Sequence, residues 1–460
     1  MKILFIDSFE RIELVGIMQL SAVLKQHGHE TEFLDVRLER DVSRAVQVSA
    51  PDVIAYSVTT GKHRAFQQLN SELKRRCRFF SVFGGPHCTF FPDFIEADGV
   101  DAVCVGEGEF AFPELVDALG NGNDITRIPN IWAKVDGTIH RNEVRDLVED
   151  LDCLPFPDRD LCDKYNHYRR MSMRYVMAGR GCPYNCTFCF NHVFNTLYKG
   201  KGRILRRRSV PNVIAEMKEL QQRYGTRRFN IIDDTFVLDR RWVLEFCDAY
   251  AAEIGAPFDV NVRANMTDPE LAAALGRAGC RVAAYSIESG NERIRRQVLK
   301  RDLSDEELVR TAGLLRQHGI RVQIQNMLAL PDETLETAFE TLRLNIRCKP
   351  TYAWAALYQP FPGTELCRYA VSKGYFDGNP DRMESYFTRS PLKLKDVRQM
   401  ERLHHLFSIA VDYPFLLPLV RWLIRLPLKP LYKLLWLVHK TVYVVFKARW
   451  LRPYELFLRR

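Results

Sequence analysis

The chain has 460 residues, 47% of them hydrophobic and 27% charged, with a formal net charge of +9. That length accommodates two or three domains with sizeable cores, and the apolar share excludes an intrinsically disordered chain. Twelve cysteines are scattered without a short-range framework, and Met1-Lys2-Ile3-Leu4-Phe5-Ile6-Asp7 opens as a strand rather than a secretory leader, so a reducing, cytoplasmic setting is expected.

In chain order, the first 150 residues alternate short apolar runs with amphipathic stretches. Residues 2–6, 30–34, 52–57, 79–83 and 102–105 are predicted strands with helices between them, the pattern of a doubly wound parallel α/β sheet. Ligands of such sheets sit on the loops after the strand carboxyl ends, here 7–16, 57–61, 84–87 and 106–109. Residues 131–139, centred on Asp136-Gly137, predict a hairpin, and 149–159, with Pro155 and Pro157, a linker. From Arg174 a second alternation begins, with strands expected at 174–178, 228–232, 258–263, 282–287, 321–328 and 354–358. Six strand–helix units predict a partial barrel, its site again at the strand carboxyl ends. The expected organisation is a doubly wound domain over 1–148, a linker over 149–170, a partial (β/α)6 barrel over 171–375 and an apolar, basic helical region over 376–460.

The first barrel strand runs into Gly179-Arg180-Gly181-Cys182-Pro183-Tyr184-Asn185-Cys186-Thr187-Phe188-Cys189. Three cysteines spaced C-x3-C-x2-C suit an iron–sulfur cubane, which takes four thiolates when fully ligated; three leave one iron open to a small molecule. A zinc loop is the rival reading, but zinc asks for a fourth protein ligand at close spacing, and His192 would have to fold back to supply it. Three unrelated buried thiols are the other alternative. The spacing, placed after a strand, resembles the radical S-adenosylmethionine (radical SAM) superfamily. That resemblance implies a [4Fe-4S] cluster on Cys182, Cys186 and Cys189, with SAM chelated at the open iron and cleaved by one-electron reduction to a 5′-deoxyadenosyl radical.

Further stretches extend the resemblance. Asp233-Asp234-Thr235-Phe236, after the second barrel strand, stands where the family contacts the SAM amino group; either aspartate serves equally as a helix cap. Arg263 is placed to pair with the SAM carboxylate. Ser286-Ile287-Glu288-Ser289-Gly290 is similar to the family's Glu-Ser-Gly signature, which implies that Ser286 and Glu288 meet the ribose hydroxyls or the amine while Gly290 lets the backbone approach the ligand. At Asp332, in Leu330-Pro331-Asp332-Glu333-Thr334, the family commonly shows glycine, and no ligand role is carried over.

The first domain resembles the cobalamin-binding domain that precedes the barrel in one large radical SAM class, through Gly84-Gly85-Pro86-His87 and Val105-Gly106-Glu107-Gly108-Glu109. The resemblance implies cobalamin lined by Ser57, Thr59, Gly84, Gly85, Gly106 and Glu107, the glycines leaving room for a large planar ligand. The Asp-x-His-x-x-Gly motif of many cobalamin proteins is absent, since Asp7-Ser8-Phe9-Glu10-Arg11-Ile12 lacks the histidine. The lower face of cobalt is therefore unassigned, and His87 is expected to be a loop or core histidine. A domain that binds nothing stays open as an alternative.

Residues 411–460 hold four Lys and six Arg against Asp412 and Glu455, a net of +8, so the other 410 residues sum to about +1. Cations interrupt every apolar window of the roughly 20 residues a spanning helix needs. With Trp422, Trp436 and Trp450 between them, they suit helices lying in the headgroup plane; apolar helices packed on the barrel are the alternative. The expected partners are a small-molecule or lipid-like substrate, an electron donor such as flavodoxin or ferredoxin, and an anionic membrane surface on the cytoplasmic side, with no nucleic acid.

Together these features imply a cobalamin-dependent radical SAM methyltransferase acting on an unactivated carbon or phosphorus. A cyclase or ring-rearranging enzyme of the same architecture is not separated from it by the sequence. A methylthiotransferase is disfavoured, because Cys77, Cys88 and Cys104 fall in different strands and loops and the tail is apolar. A non-enzymatic iron–sulfur redox or scaffold protein is the remaining alternative.

Overall fold

The computed structural model describes residues 1–8 and 12–442. Phe9, Glu10 and Arg11 of the first strand-end loop, and the tail residues Lys447, Arg449, Trp450, Arg452, Glu455, Arg459 and Arg460, lie outside the described residues.

The first sheet is built from β1 (Lys2–Asp7), β2 (Glu30–Asp35), β3 (Val53–Ser57), β4 (Phe80–Gly84), β5 (Ala102–Cys104), β6 (Ile131–Val135) and β7 (Thr138–His140), in the order β2-β1-β3-β4-β5-β6-β7. Pairing is parallel through β5 and antiparallel beyond it. Unbroken apolar runs suit strands covered on both faces, and the alternation of side chains across a strand sorts them. Ile3 and Phe5 join Met18, Leu24, Phe112 and Leu115 on one face. Leu4, Ile6, Ile54 and Tyr56 join Phe66, Leu73 and Phe83 on the other. The order 2-1-3-4-5 puts the topological switch between β1 and β3, the usual ligand crevice of such sheets. The β6–β7 hairpin turns on Asp136 and Gly137, both with positive φ, as its sequence requires.

The stretch expected as a linker is folded into this first sheet's core. It carries short helices at Arg159–Cys162 and Asn166–Arg169, and Leu161, Tyr165 and Tyr168 are buried against Phe33. The Asp35 amide donates to Tyr165 Oη at 3.0 Å, and Tyr168 Oη donates to the Asp35 carboxylate at 3.2 Å.

The barrel strands are β8 (Met173–Val176), β11 (Arg228–Ile231), β12 (Phe258–Asn261), β13 (Cys280–Glu288), β14 (Arg321–Leu328) and β15 (Tyr352–Leu357); between β8 and β11 lies a ribbon of β9 (Gly179–Arg180) and β10 (Arg206–Arg207). The six belong to one sheet, in which β12 to β15 are parallel, giving the partial barrel. The chain divides into two compact units, residues 1–181 with 193–230 and residues 182–192 with 231–460. In the second, Ser304/Glu307 and Thr334/Thr337 form reciprocal capping boxes on the helices Asp305–Gln317 and Leu335–Cys348. The helix Val397–Asp412 then packs Met400, Leu403, Phe407 and Ala410 against β15 and the helix Leu335–Cys348. The described part of the tail, helices Leu417–Leu423 and Lys429–Val442, lies on that layer through Val420, Ile424 and Tyr432.

Candidate functional site

The cysteine loop belongs to the second unit, and Thr187, which follows its second cysteine, fixes it there. Thr187 donates its amide to Leu299 O at 3.1 Å and its hydroxyl to Val298 O at 2.8 Å, and its own carbonyl accepts from Leu366 N at 2.8 Å. Inside the loop the Cys189 amide closes a turn on Cys186 O at 3.0 Å, while Phe188 packs beside Leu299, Leu330 and Tyr358. Cys182, Cys186 and Cys189 are near enough to act on one another electrostatically, and burial pushes the Cys182 thiol up and the Cys189 thiol to about 12. Among the described residues no three His, Cys, Asp or Glu side chains converge as on a single ion; a cubane takes each thiolate on a different iron and asks for a wider spread.

Two buried guanidiniums face these thiols. Arg301 donates to Ser286 O from Nε at 3.1 Å and Nη2 at 2.9 Å, and its Nη1 lies 4.0 Å from Cys186 Sγ. Arg263 lies over the Tyr184 ring, 3.6 Å from its centroid, and donates to Asn265 Oδ1 at 3.1 Å. Burial and the neighbouring Arg301 lower the Arg263 guanidinium below its ordinary value. Neither arginine has a carboxylate at ion-pair distance among the described residues, an arrangement that is costly unless an anion completes it. A cluster of thiolates and the carboxylate of an amino-acid ligand are such anions, so the donor set fits a three-cysteine cluster with SAM.

The expected acidic residues are brought to the same strand ends. Asp233 is buried, its carbonyl accepting from Asn261 Nδ2 at 3.0 Å. Asp234 is open to solvent yet ringed by enough protein that desolvation raises its carboxyl, with Asn191 Nδ2 at 3.1 Å acting the other way. Glu288 ends β13 at φ +64, a conformation that is uncommon outside glycine and concentrates at functional sites. Burial raises its carboxyl, and Arg301 pulls it back in part. Ser286 Oγ donates to Gln325 Oε1 at 3.1 Å. One expectation is corrected. Gly290 serves helix packing rather than ligand approach, since a Cβ there would stand 2.4 Å from the backbone of Thr341. Arg301 and Tyr184 escape sequence reasoning; an arginine thirteen residues past Glu288 carries no spacing signal, although Tyr184, between two cluster cysteines, does mark itself by position.

In the first unit, Ser57, Gly84 and Gly85 come together at the carboxyl ends of β3 and β4, joined by Val58 N donating to Gly84 O at 2.9 Å. Thr59 follows at an exposed position. Thr89 Oγ1 links the next loops, donating to Gly85 O at 3.0 Å and accepting from Gly106 N at 3.1 Å. Exposed Ile12 and Phe110, on the loops after β1 and β5, give this carboxyl edge an apolar component suited to a corrin face. The glycines, however, answer to the protein's own atoms. A Cβ on Gly85 would stand 3.0 Å from Ser57 Oγ and Val58 N, and one on Gly106 would stand 1.9 Å from Tyr198 Oη. Glu107, expected to meet cobalamin, instead pairs with Arg180 and Arg206. His87 is a core histidine as expected: it stacks on His63 at 3.8 Å, touches Thr60 at 3.1 Å, and burial pushes it down to about 3.

Residues 176–344 match the radical SAM superfamily and residues 1–116 the B12 binding domain. The chain is 28% identical over 368 residues to an uncharacterized methyltransferase, PH0819, of Pyrococcus horikoshii, covering 78% of each chain. It is 26% identical to the anaerobic magnesium-protoporphyrin IX monomethyl ester cyclase of Rubrivivax gelatinosus, covering 76% of this chain and 65% of that one. Among solved structures, the radical S-adenosylmethionine methyltransferase TsrM of Kitasatospora setae shares the fold with a TM-score of 0.68 at 18% identity, over 81% of this chain and 76% of that one. The chain thus carries a radical SAM domain preceded by a B12-binding domain, the pairing that works with a [4Fe-4S] cluster, SAM and cobalamin.

Proposed function

We propose that this enzyme is a methyltransferase acting on an unactivated carbon or phosphorus of a small substrate. The observation that carries the reading is the pairing of a B12-type sheet with the cysteine loop in one chain, matched to a methyltransferase over 78% of both lengths. When bound, cluster and SAM supply hydrogen-atom abstraction, and cobalamin supplies the methyl group. The chain's part is placement. Cys182, Cys186 and Cys189 hold the cluster, Arg263 and Arg301 receive anionic charge, Asp233, Asp234, Ser286 and Glu288 orient the amine and ribose of SAM, and Ser57, Thr59 and the Gly84-Gly85 turn line the cobalamin crevice. Anaerobic reconstitution with iron, sulfide and hydroxocobalamin, followed by SAM and reductant, tests the reading. Joint appearance of 5′-deoxyadenosine and S-adenosylhomocysteine supports it. The first product alone favours the cyclase-type reaction suggested by the Rubrivivax relative, and neither product defeats an enzymatic role. Replacing the chemical reductant by flavodoxin or ferredoxin identifies the electron donor.

We also propose that the substrate is lipid-like and that the C-terminal helices rest on an anionic membrane surface on the cytoplasmic side. On the helix Lys429–Val442, Leu431, Leu434, Leu435, Val438 and Val442 recur at helical spacing and are all exposed. The neighbouring arc is committed to the protein: Tyr432 is buried, Trp436 meets the Phe387 ring at 6.5 Å, and His439 pairs with Asp412 at 2.9 Å. Phe415, 77% exposed, with Leu419 and Trp422 makes a second outward stripe. Among the described residues no helix is long and apolar enough to cross a membrane, and Arg425, Lys429, Lys433 and Lys440 accompany the stripes, each basic residue near an anionic surface contributing about 1 kcal/mol. Co-sedimentation with phosphatidylglycerol and phosphatidylcholine vesicles at low and high salt is the test. Binding to the anionic vesicles should be lost in a Leu434→Glu/Val438→Glu protein; equal sedimentation of variant and parent overturns the docking role.

A further inference from the structure

The loop after β5 reads in sequence as a ligand loop, yet its two carboxylates face the stem of the excursion that carries the cysteines. Residues 181–205 leave and return through the β9–β10 ribbon, whose directly opposed residues are Arg180 and Arg206. Glu107 Oε1 accepts from Nη1 of Arg180 at 3.0 Å and from Nη1 of Arg206 at 2.9 Å. Its Oε2 accepts from Arg206 again at 2.9 Å and from Val148 N at 3.1 Å. Glu109 Oε1 takes the remaining arm of Arg180 at 2.6 Å. Burial alone would raise the Glu109 carboxyl, but Arg180, with Arg206 behind it, brings it below its ordinary value.

Tyr198, nine residues past Cys189, reaches the same loop. Its Oη accepts from Glu107 N and from Asn130 Nδ2, each at 3.1 Å, in the space that the missing Cβ of Gly106 leaves. The stem is equally tight, since a Cβ on Gly181 would stand 2.1 Å from Ile204 O. Two opposed guanidiniums on so short a ribbon repel one another and are tolerable in a buried place only with carboxylates between them. Buried pairs of this kind add little net stability over apolar packing, and what they supply is direction and register, which the fork of arginine makes specific.

We propose that Glu107 and Glu109 are positioning residues for the cluster. Acting through Arg180 and Arg206, they clamp both ends of the excursion bearing Cys182, Cys186 and Cys189. Arg180 lies two residues before Cys182, so a shift at the clamp is delivered directly to the first ligand.

Glu107→Gln keeps an acceptor for the Val148 amide and the side-chain volume while removing the charge between the guanidiniums; Glu109→Gln does the same on the second carboxylate. Full-length variants and parent are reconstituted anaerobically and compared by iron per chain at limiting iron, by the EPR spectrum of the reduced cluster, and by hydroxocobalamin affinity from difference absorbance. The iron required for half-occupancy should rise by about tenfold, the scale of losses when a ligand's supporting shell is altered, with a broadened EPR signal and unchanged cobalamin affinity. Parental iron content and spectrum in both variants would overturn the proposal. So would a parallel loss of cobalamin, which would make the carboxylates contacts of that ligand. If Glu107→Gln does not accumulate folded, Arg206→Lys, which keeps the charge and loses the fork, is held to the same outcomes. No readout depends on the reaction catalysed, so a failure of the methyl-transfer reading leaves this test intact.

Discussion

Replacing Glu333 by glutamine should stabilise the protein at alkaline pH and change little at mildly acidic pH. Glu333 follows the turn after β14 and is 4% exposed; Oε2 accepts from Leu330 N at 3.1 Å, and Oε1 is buried with no hydrogen-bond partner among the described residues. Burial pushes this carboxyl up to about 8 from an ordinary 4.5, although the amides of Leu330 and Ala329 pull the other way. Between those values the folded chain keeps a proton that the unfolded chain releases. Stability from this site is therefore complete below the lower value, falls as pH rises, and is lost once pH passes the upper one. At about 1.4 kcal/mol per pH unit, the whole window is worth on the order of 5 kcal/mol as a ceiling. Glutamine fills the same volume and keeps the acceptor but does not titrate. The assay is urea denaturation of parent and Glu333→Gln across the window, followed by tryptophan fluorescence, since Trp242, Trp354, Trp422 and Trp436 all report on the second unit. The variant's advantage should widen steadily toward alkaline pH. A gap that stays constant or narrows refutes the burial argument, because it would mean that the carboxyl already ionises freely in the folded state.

Alanine at Cys182, Cys186 or Cys189 should each remove the brown chromophore or SAM cleavage on reconstitution, and full activity in Cys186→Ala would sink the cluster assignment. Gly106→Ala should destabilise the first unit by about 1–3 kcal/mol, from overpacking against Tyr198 and from the left-handed backbone; Tyr198→Phe should recover part of that loss, and strict additivity in a double-mutant cycle would show that the two do not meet. Asp332 holds φ +63 while accepting from Tyr369 Oη at 2.8 Å and Tyr375 Oη at 2.9 Å. A glycine there relieves the backbone but leaves two phenols without their acceptor, so Asp332→Gly should lower the melting temperature, and a rise would reverse the order of the two effects.

The parts of the molecule legible in the sequence are those whose causes are local. Strand positions follow from alternation: Ile3 and Phe5 must face away from Leu4 and Ile6, and they do so in separate cores. The β6–β7 turn follows from Asp136-Gly137, and the cysteine loop from a spacing within eight residues. The β9–β10 ribbon escapes because two residues per strand carry no period. The tail was legible as charge but not as arcs, since which side of Lys429–Val442 meets the protein is set by Phe387 and Asp412, far off in the chain. Glu107 shows the same limit most sharply. A loop of glycines and carboxylates suits a large ligand and suits an ion-pair clamp equally well; what separates them is the charge of the facing surface. Here that surface is Arg180 and Arg206, which lie 73 and 99 residues further along. The glycines, too, change meaning with it, because the space left by the missing Cβ of Gly106 is taken by Tyr198. Sequence alone can therefore name such a loop as a site of close approach, and only the fold says what approaches.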